Sequence, residues 1–202
     1  MFKIVTGLVT GCFLVYTGLL ATAYKRVRYH AGLSGVMLRH YIDPVKNPWW
    51  SQIDDGLYLS ALPLSSMGHA GQLKFMGIHV VISITDNFEL SISADEWVEW
   101  GIFNYQIESP DHEPVPLEKI CEGVEVIRNN GVRGVKQLVH CKSGVGRSAT
   151  LIIAYLLKYG LKNGYKFENV SEAYSYVEKC RHIHLNDKQK LSLYHYWETL
   201  KA

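Results

Sequence analysis

The chain has 202 residues, of which 48% are apolar, so its composition supports a folded core and excludes general disorder. Its 21 basic and 19 acidic residues give a formal net charge of +2, which does not indicate binding to nucleic acid. The spacing of the cysteines and histidines predicts no metal site, no other cofactor and no disulfide scaffold. The residues considered are Cys12, Cys121, Cys141, Cys180, His182 and His184.

The N-terminal segment contains 21 consecutive uncharged residues, at positions 4–24. At about 1.5 Å per residue, a helix of this length covers about 31 Å, the thickness of the hydrocarbon layer of a bilayer. Lys25, Arg26 and Arg28 follow directly, and such basic residues stay on the cytoplasmic side or, in a mitochondrion, on the matrix side. The sequence therefore predicts a single-pass membrane anchor over residues 1–24, with the rest of the chain on that inner side.

A cleavable signal peptide is the alternative for this segment, because Ala21-Thr22-Ala23 has the small-residue pattern of a cleavage site. In that case the body of the protein would be exported. The uncharged run is longer than the usual apolar region of a signal peptide, and the basic residues directly after it oppose export. These two features favour the anchor.

The remainder divides into a basic juxtamembrane linker over residues 25–50 and one domain over residues 51–202. Short β-type runs alternate with helical runs in this domain, which is typical of a mainly parallel sheet covered by helices. We predict an α/β fold with a central sheet of about four to five strands, flanked by helices. The predicted strands are 57–59, 80–84, 103–107 and 137–139, and the predicted helices are 117–127, 151–157, 170–177 and one opened by a capping box at Asn186 and Gln189.

The most informative stretch is residues 139–150, which read VHCKSGVGRSAT and lie between a predicted strand and an apolar helical run. A loop that joins a strand to a helix directs successive backbone N–H groups to one point, and the helix dipole adds partial positive charge there. Gly144 and Gly146 permit the tight turn and the close approach of the backbone. The loop is therefore predicted to bind an anionic substrate through Lys142, Ser143, Gly144, Val145 and Gly146.

Cys141 is the first residue of this loop, where the same field favours the thiolate, the nucleophilic form of cysteine. Arg147 lies six positions further on and can bind two phosphate oxygens in a fork. Ser148 can donate its hydroxyl to the sulfur when the sulfur leaves, and His140 can support the loop through hydrogen bonds. A buried, unreactive cysteine beside a surface arginine is the alternative, but the glycines and flanking elements together make the pattern specific.

These residues resemble the HCxxGxxRS signature of the cysteine-dependent dual-specificity phosphatases, which belong to the protein tyrosine phosphatase superfamily. Over residues 49–195 the chain is similar in particular to the mitochondrial lipid-phosphatase branch that hydrolyses phosphatidylglycerophosphate. The resemblance implies the dual-specificity phosphatase fold and a cysteinyl-phosphate intermediate. Segments 86–89 and 145–146 depart from the branch, whereas further matches are Ile53, Asp54, residues 61–64, Glu96, Trp97, Asp111, Pro114, Pro116, residues 148–150 and 154–156, Arg181, Ile183 and His184.

A carboxylic acid that protonates the leaving oxygen typically contributes about 10²–10⁴-fold to such a reaction. Asp111 lies in a proline-containing loop after a predicted strand, 30 residues before Cys141. The resemblance places the general acid in this kind of loop, so we predict that Asp111 donates a proton and then activates water. Glu108 and Glu113 are the alternatives in the same loop.

We predict a membrane-anchored phosphomonoesterase whose substrate is a phospholipid headgroup such as phosphatidylglycerophosphate. Lys142 follows the nucleophile, as in lipid-directed members of the resembled family, and an anchor would hold the site near lipid substrates. The alternative is a dual-specificity or tyrosine phosphoprotein phosphatase, and a non-catalytic phosphate-binding module is a third interpretation. Cys141, Arg147 and Asp111 argue against the third interpretation, because a binding module does not need all three.

Overall fold

The computed structural model describes the backbone of residues 2–201 and the side chains of residues 20–201. Two short 3₁₀ turns, Ser65–Met67 and Asn87–Glu89, lie in connecting segments. The longer elements in chain order are α1 (Phe2–Ile42), β1 (Trp50–Asp54), β2 (Leu57–Ser60), α2 (His69–Phe75), β3 (Val80–Thr85), α3 (Ala94–Glu99), β4 (Phe103–Glu108), α4 (Leu117–Val132), β5 (Gln137–His140), α5 (Arg147–Tyr159), α6 (Val170–Cys180) and α7 (Asp187–Thr199).

The strands form one sheet in the order β1-β2-β5-β3-β4. Strands β2, β5, β3 and β4 are parallel, and β1 pairs antiparallel with β2 at the edge. This confirms the predicted α/β fold with a mainly parallel sheet. Strand β1 was not predicted, because only two of its five residues are buried and its sequence crosses the predicted boundary between linker and domain. It forms through hairpin pairing with β2 across a turn in which Gly56 has φ +77°.

Helices cover both faces of the sheet. Helices α4, α5, α6 and α7 pack on one face in a single large apolar cluster, and α2 and α3 pack on the other face in a smaller one. Helix α5 is buried over 11 of its 13 residues, as expected for a central helix that is apolar on every side. Helix α7 begins with the predicted capping box between Asn186 and Gln189.

The segment predicted to be a linker, residues 25–50, differs from that prediction. It is helical as far as Ile42 and packs against the domain. Tyr29 and Val36 are buried in an apolar cluster with side chains from the segments that flank the β1–β2 hairpin. The helix continues because these long-range contacts stabilise it, and they leave no local signature in the sequence.

The predicted anchor covers residues 1–24, of which residues 1–19 lie outside the described side chains. Within the part of the chain that is described, no helix has both the length and the apolar character needed to cross a bilayer. The anchor therefore stays a prediction.

Candidate active site

The site lies where the parallel strands end. The carboxyl ends of β2, β3, β4 and β5 meet at one edge of the sheet, as in other open α/β sheets. The segments that follow β3, β4 and β5 bring Glu89, Asp111 and Cys141 to this edge. The chain order of the strands thus assembles groups that are about 20 to 50 residues apart in sequence.

The backbone of the loop after β5 is oriented by hydrogen bonds from outside it. The carbonyl groups of residues 142–145 all accept such bonds. Arg181 binds two of them through Nε and Nη2, at 3.1 and 3.2 Å, and the backbone N–H groups of Leu62 and His184 bind the other two, at 3.1 and 2.9 Å. Because the two groups of a peptide unit point in opposite directions, the N–H groups of the loop face its interior and form an anion-binding concavity.

Gly144 is required where the loop passes closest to strand β2. Its φ of +72° lies in the left-handed region, and a Cβ atom at this position would lie 2.4 Å from the carbonyl oxygen of Ser60. No other residue fits this conformation at this distance. Gly144 thus permits the close approach of the loop to β2, and its predicted part in substrate binding stays a prediction.

The Cys141 thiol lies at the base of the loop and is only 2% exposed. Burial alone would raise its pKa, but several groups together bring the pKa below the ordinary cysteine value. They are the positive charge of Arg147, the Ser148 hydroxyl, which donates to Sγ at 3.2 Å, and the backbone N–H groups of Ser148 and Gly144. The structure therefore favours the thiolate, as the position of the cysteine at a helix N-terminus predicts.

The Arg147 guanidinium is 2% exposed and is held by three partners. It donates to both carboxylate oxygens of Glu89, at 3.2 and 2.8 Å, to the Ser109 carbonyl at 2.7 Å and to Asp111 Oδ1 at 3.0 Å. Burial raises the pKa of Glu89, and the hydrogen bonds from Arg147 oppose that shift. The guanidinium group of Arg147 is thus oriented by Glu89, which lies in the segment 86–89 that departs from the lipid-phosphatase branch.

The Asp111 carboxylate contacts both cations of the site. Besides Arg147, it accepts a hydrogen bond from Lys142 Nζ and lies 3.4 Å from His112 Nε2. Burial would raise the pKa of Asp111, but the hydrogen bond from Lys142 and the charges of Arg147 and Lys142 lower it overall. With the site in this form, Asp111 is a carboxylate paired with Lys142 and Arg147.

The two alternative acids lie elsewhere. Glu108 is exposed at the end of β4, and Glu113 pairs with Lys188 at 3.0 Å. Asp111 is therefore the carboxylate of this loop that contacts Arg147. The choice of Asp111 as the general acid stays a prediction.

His140 supports the loop from the core in its neutral form. Its Nδ1 lies 3.1 Å from the Cys141 carbonyl oxygen, which can only accept, so Nδ1 carries the proton. Its Nε2 lies 2.7 Å from the Ser83 hydroxyl oxygen. Burial lowers the pKa of His140 to about 4, so the ring stays neutral near pH 7 and holds the backbone of the nucleophile.

The buried histidines predict a loss of stability in acid. Burial also lowers the pKa of His69 to about 4, and its Nδ1 accepts from the Leu64 N–H at 3.1 Å. The unfolded chain binds protons at both histidines below about pH 6.5, whereas the native state does not, so the free energy of unfolding should fall between pH 6.5 and 4 by about 3 kcal/mol per histidine. Urea unfolding at pH 7, 5.5 and 4.5 measures this loss.

The control for this prediction is His69→Asn, whose side-chain oxygen can accept the same backbone hydrogen bond. This variant should retain only the part of the acid sensitivity that His140 causes. An unfolding free energy that is constant from pH 7 to 4.5 would contradict the neutral state of both rings.

The side chains of the remaining predicted loop residues lie outside the concavity of the loop or beside Asp111. The side chains of Ser143 and Val145 are half-buried and face a cavity of about 360 Å³ between the loop and the C-terminal part of α1. Lys142 is buried under α1, where a Cβ on Gly32 would lie 2.9 Å from its Nζ. Of these three side chains, the one that contacts Asp111 is that of Lys142, through its ammonium group.

Three residues that contact the site were not assigned a role from the sequence. Glu89 orients Arg147, and Arg181 orients the carbonyls of the loop. Tyr29 of α1 donates to the Glu89 carbonyl at 2.8 Å and contacts the Phe88 ring edge-to-face. The sequence marked Arg181 only through its match to a position of the resembled family. It did not mark Glu89 and Tyr29, because their contacts join segments that are distant in the sequence.

Residues 57–199 match the family model described as the catalytic domain of dual specificity phosphatases. The match covers more than half of the chain, and the fold and the loop agree with it. The chain therefore belongs to the dual specificity phosphatase family and is a cysteine-dependent phosphatase. Within the protein tyrosine phosphatase superfamily it is close to the branch of the phosphatidylglycerophosphate phosphatases.

Two relatives illustrate this similarity. Phosphatidylglycerophosphate phosphatase PTPMT1 of Arabidopsis thaliana is 33% identical over 134 residues, which cover 66% of this chain and 37% of that protein. Phosphatidylglycerophosphatase and protein-tyrosine phosphatase 1 of Homo sapiens is 26% identical over 191 residues, which cover 92% of this chain and 93% of the human protein. The chain thus spans about a third of the plant relative and nearly all of the human one.

Solved structures agree with this placement. The crystal structure of PTPMT1 in complex with PI(5)P superposes with a TM-score of 0.66 at 26% identity, and the match covers 76% of this chain and 97% of that one. Tk-PTP in its active form superposes with a TM-score of 0.66 at 25% identity, covering 75% of this chain and 97% of that one.

Proposed function

We propose that this phosphatase is anchored in a membrane and hydrolyses the phosphomonoester of a phospholipid headgroup, with phosphatidylglycerophosphate as the leading substrate. The observation that carries the proposal is the loop of residues 142–145, whose carbonyls are all bound from outside. Its N–H groups therefore converge on the position of a phosphoryl group above Cys141. The names of the relatives and the contact between α1 and the site favour a lipid.

The first chemical step transfers the phosphoryl group to sulfur. The Cys141 thiolate attacks phosphorus, an S–P bond forms and the bond from phosphorus to the ester oxygen breaks. Arg147 and the loop N–H groups bind the three non-bridging oxygens, and Asp111 gives its proton to the departing alkoxide.

The second step returns the enzyme to its initial state. The Asp111 carboxylate takes a proton from water, the water oxygen attacks phosphorus and the S–P bond breaks. Ser148 donates its hydroxyl to the sulfur as the thiolate leaves, at the position that its 3.2 Å hydrogen bond defines. Inorganic phosphate is then released from the loop. His140 acts only by holding the Cys141 carbonyl.

Substrate binding must displace Asp111 from Arg147, because both would use the same Nη2 donor. Asp111 would then have an anionic phosphoryl group as a neighbour in place of a guanidinium. That exchange raises the pKa of Asp111 and supplies the protonated form that the first step requires.

The position of α1 favours a lipid substrate over a peptide. Residues 25–29 of this helix contact the Asp86–Glu89 segment of the site, and the predicted anchor ends at residue 24. The site would therefore lie within about 8 Å of the end of the anchor along the helix. A headgroup at the bilayer surface reaches such a site directly. On this proposal the catalytic domain is on the cytoplasmic or matrix side.

A phosphoprotein phosphatase is the second candidate, because the name of the human relative includes protein-tyrosine phosphatase. The Val145-Gly146 pair also departs from the lipid-phosphatase branch. A phosphotyrosine peptide would use the same loop and the same acid. The two candidates differ in the part of the substrate beyond the phosphoryl group.

A substrate panel with the full chain in detergent micelles tests the proposal. Phosphatidylglycerophosphate, phosphoinositides and phosphotyrosine peptides are compared by phosphate release, with Cys141→Ser as the blank. We expect kcat/KM to be highest for phosphatidylglycerophosphate. Strong turnover of peptides with a flat response to all lipids would reverse the ranking of the two candidates.

Replacing Asp111 with asparagine should lower kcat/KM for an alkyl phosphomonoester by about 10²–10³-fold, because an amide cannot protonate the leaving oxygen in the first step. The loss of kcat/KM should be much smaller for nitrophenyl phosphate, whose leaving group needs little protonation. Steady-state kinetics on both substrates, with Glu113→Gln as the control from the same loop, measure the difference. An equal loss on both substrates would contradict the role of Asp111 as general acid.

A further inference from the structure

A small cavity continues the active site on the side of α1. It has a volume of about 110 Å³, enough for one phosphate group. Its lining residues come from α1 and from the two segments that hold Glu89 and Asp111. They are Tyr24, Lys25, Arg28, Tyr29, Phe88, Asp111 and His112.

Asp111 lines this cavity and, as the proposed acid, also indicates where the leaving group lies. On the proposed mechanism, the Asp111 carboxyl must lie beside the oxygen that links phosphorus to the rest of the substrate. The loop contacts Asp111 through Lys142 and Arg147, and the cavity contacts it from the side of α1. The leaving group therefore extends from the loop past Asp111 into this cavity.

The charges of the two parts of the site differ. In the inner site, the cations Arg147 and Lys142 pair with the two carboxylates Glu89 and Asp111. These four groups have a formal net charge of zero, and the Cys141 thiolate makes the inner site negative. An additional negative charge on the leaving group thus finds no free cation there.

The cavity provides such cations at its rim. Lys25 pairs with Asp86 and lies 5.0 Å from the centroid of the Phe88 ring. Arg28 lies over the Tyr24 ring at 5.9 Å and forms no ion pair with any carboxylate among the side chains of residues 20–201. Arg28 is therefore available to bind an anion through its guanidinium fork.

We propose that this cavity, formed by Tyr24, Lys25, Arg28 and Tyr29 with the acid loop, binds a second phosphate of the substrate, the phosphodiester that joins the headgroup to diacylglycerol. This inference rests on the proposed function and extends it to the choice among lipids. In a phosphoglycerol headgroup, three carbons separate the two phosphates. With the terminal phosphate in the loop, these carbons would pass Asp111 and place the second phosphate in the cavity. Arg28 is the principal specificity residue, and the acyl chains extend toward the predicted anchor.

The test compares Arg28→Gln with Arg26→Gln. Arg26 is exposed on the same helix and does not line the cavity, so the control removes the same charge next to the same membrane. Dioctanoyl phosphatidylglycerophosphate is used below its micelle concentration, and nitrophenyl phosphate serves as a substrate without a second phosphate. Because this lipid is monomeric below its micelle concentration, the assay separates binding in the cavity from attraction of the protein to a charged lipid surface.

We expect Arg28→Gln to raise KM for the lipid and to lower the ratio of kcat/KM for lipid over aryl phosphate about tenfold or more, the effect of one charge-assisted hydrogen bond. Arg26→Gln should keep the wild-type ratio, and Arg28→Lys should restore part of it. If wild type hydrolyses the lipid but both glutamine variants give the same ratio, the inference is wrong and the proposed function stands. If wild type hydrolyses aryl phosphate and no lipid, both are wrong.

Discussion

Replacing Cys141 with serine is expected to reduce phosphatase activity by about 10⁴-fold or more on every substrate. The loop lowers the pKa of the thiol through Arg147, Ser148 and the backbone N–H groups, so the wild-type residue reacts as a thiolate. A serine hydroxyl in the same field stays protonated at neutral pH and is a poor nucleophile. The measurement is kcat/KM for nitrophenyl phosphate and for phosphatidylglycerophosphate.

The matched controls are Cys121→Ser and Cys180→Ser, which change the other free cysteines of the described domain. Both should keep wild-type activity, because neither side chain contacts the loop in the structure. The melting temperature of Cys141→Ser should stay close to that of wild type, which excludes unfolding as the cause of inactivity. Residual activity above about one per cent of wild type would contradict the assignment of the nucleophile.

Replacing Arg147 with lysine should lower kcat/KM by about 10³-fold, although the charge is retained. The guanidinium binds both oxygens of Glu89 while it donates to the Ser109 carbonyl. An ammonium group cannot reproduce that fork or bind two phosphoryl oxygens in the same plane. The variant also leaves the carboxylate of Glu89, which is 1% exposed, without at least one of its two hydrogen bonds from Arg147.

Because of that incomplete pairing, the lysine variant could lose activity through instability alone. The double variant Arg147→Lys with Glu89→Gln removes the buried carboxylate and separates the two causes. It should regain melting temperature relative to the single variant, while kcat/KM stays low. Recovery of activity together with stability would show that Arg147 has only a structural role. Arg128→Lys, on the outside of α4, is the control for an arginine away from the site.

Most of the catalytic loop could be predicted from the sequence because its signal is local. The strand, the glycines and the buried helix occupy adjacent positions, and Cys141, Arg147 and Ser148 meet as that order requires. The same applies to the amphipathic helices α4 and α6 and to the capping box of α7. Local patterns such as these depend on backbone geometry over a few turns.

The features that could not be predicted depend on contacts between distant segments. Glu89 orients Arg147 across 58 positions of the chain. Tyr29 packs against the Phe88 segment and turns a predicted linker into a helix of the domain. Strand β1 exists through its pairing with β2. None of these residues has a neighbour in the sequence that marks its partner, so periodicity could not reveal them.

The most direct test of the account is to identify the atom that carries the phosphoryl group during turnover. Asp111→Asn is mixed with nitrophenyl phosphate, whose leaving group needs little acid, so that the intermediate forms and its hydrolysis is slow. The reaction is stopped in denaturant within one turnover and the peptides are weighed by mass spectrometry. We expect one phosphoryl group on the peptide that contains Cys141, and none in the Cys141→Ser protein. Turnover with an unmodified Cys141 peptide, or a phosphoryl group on another residue, would contradict it.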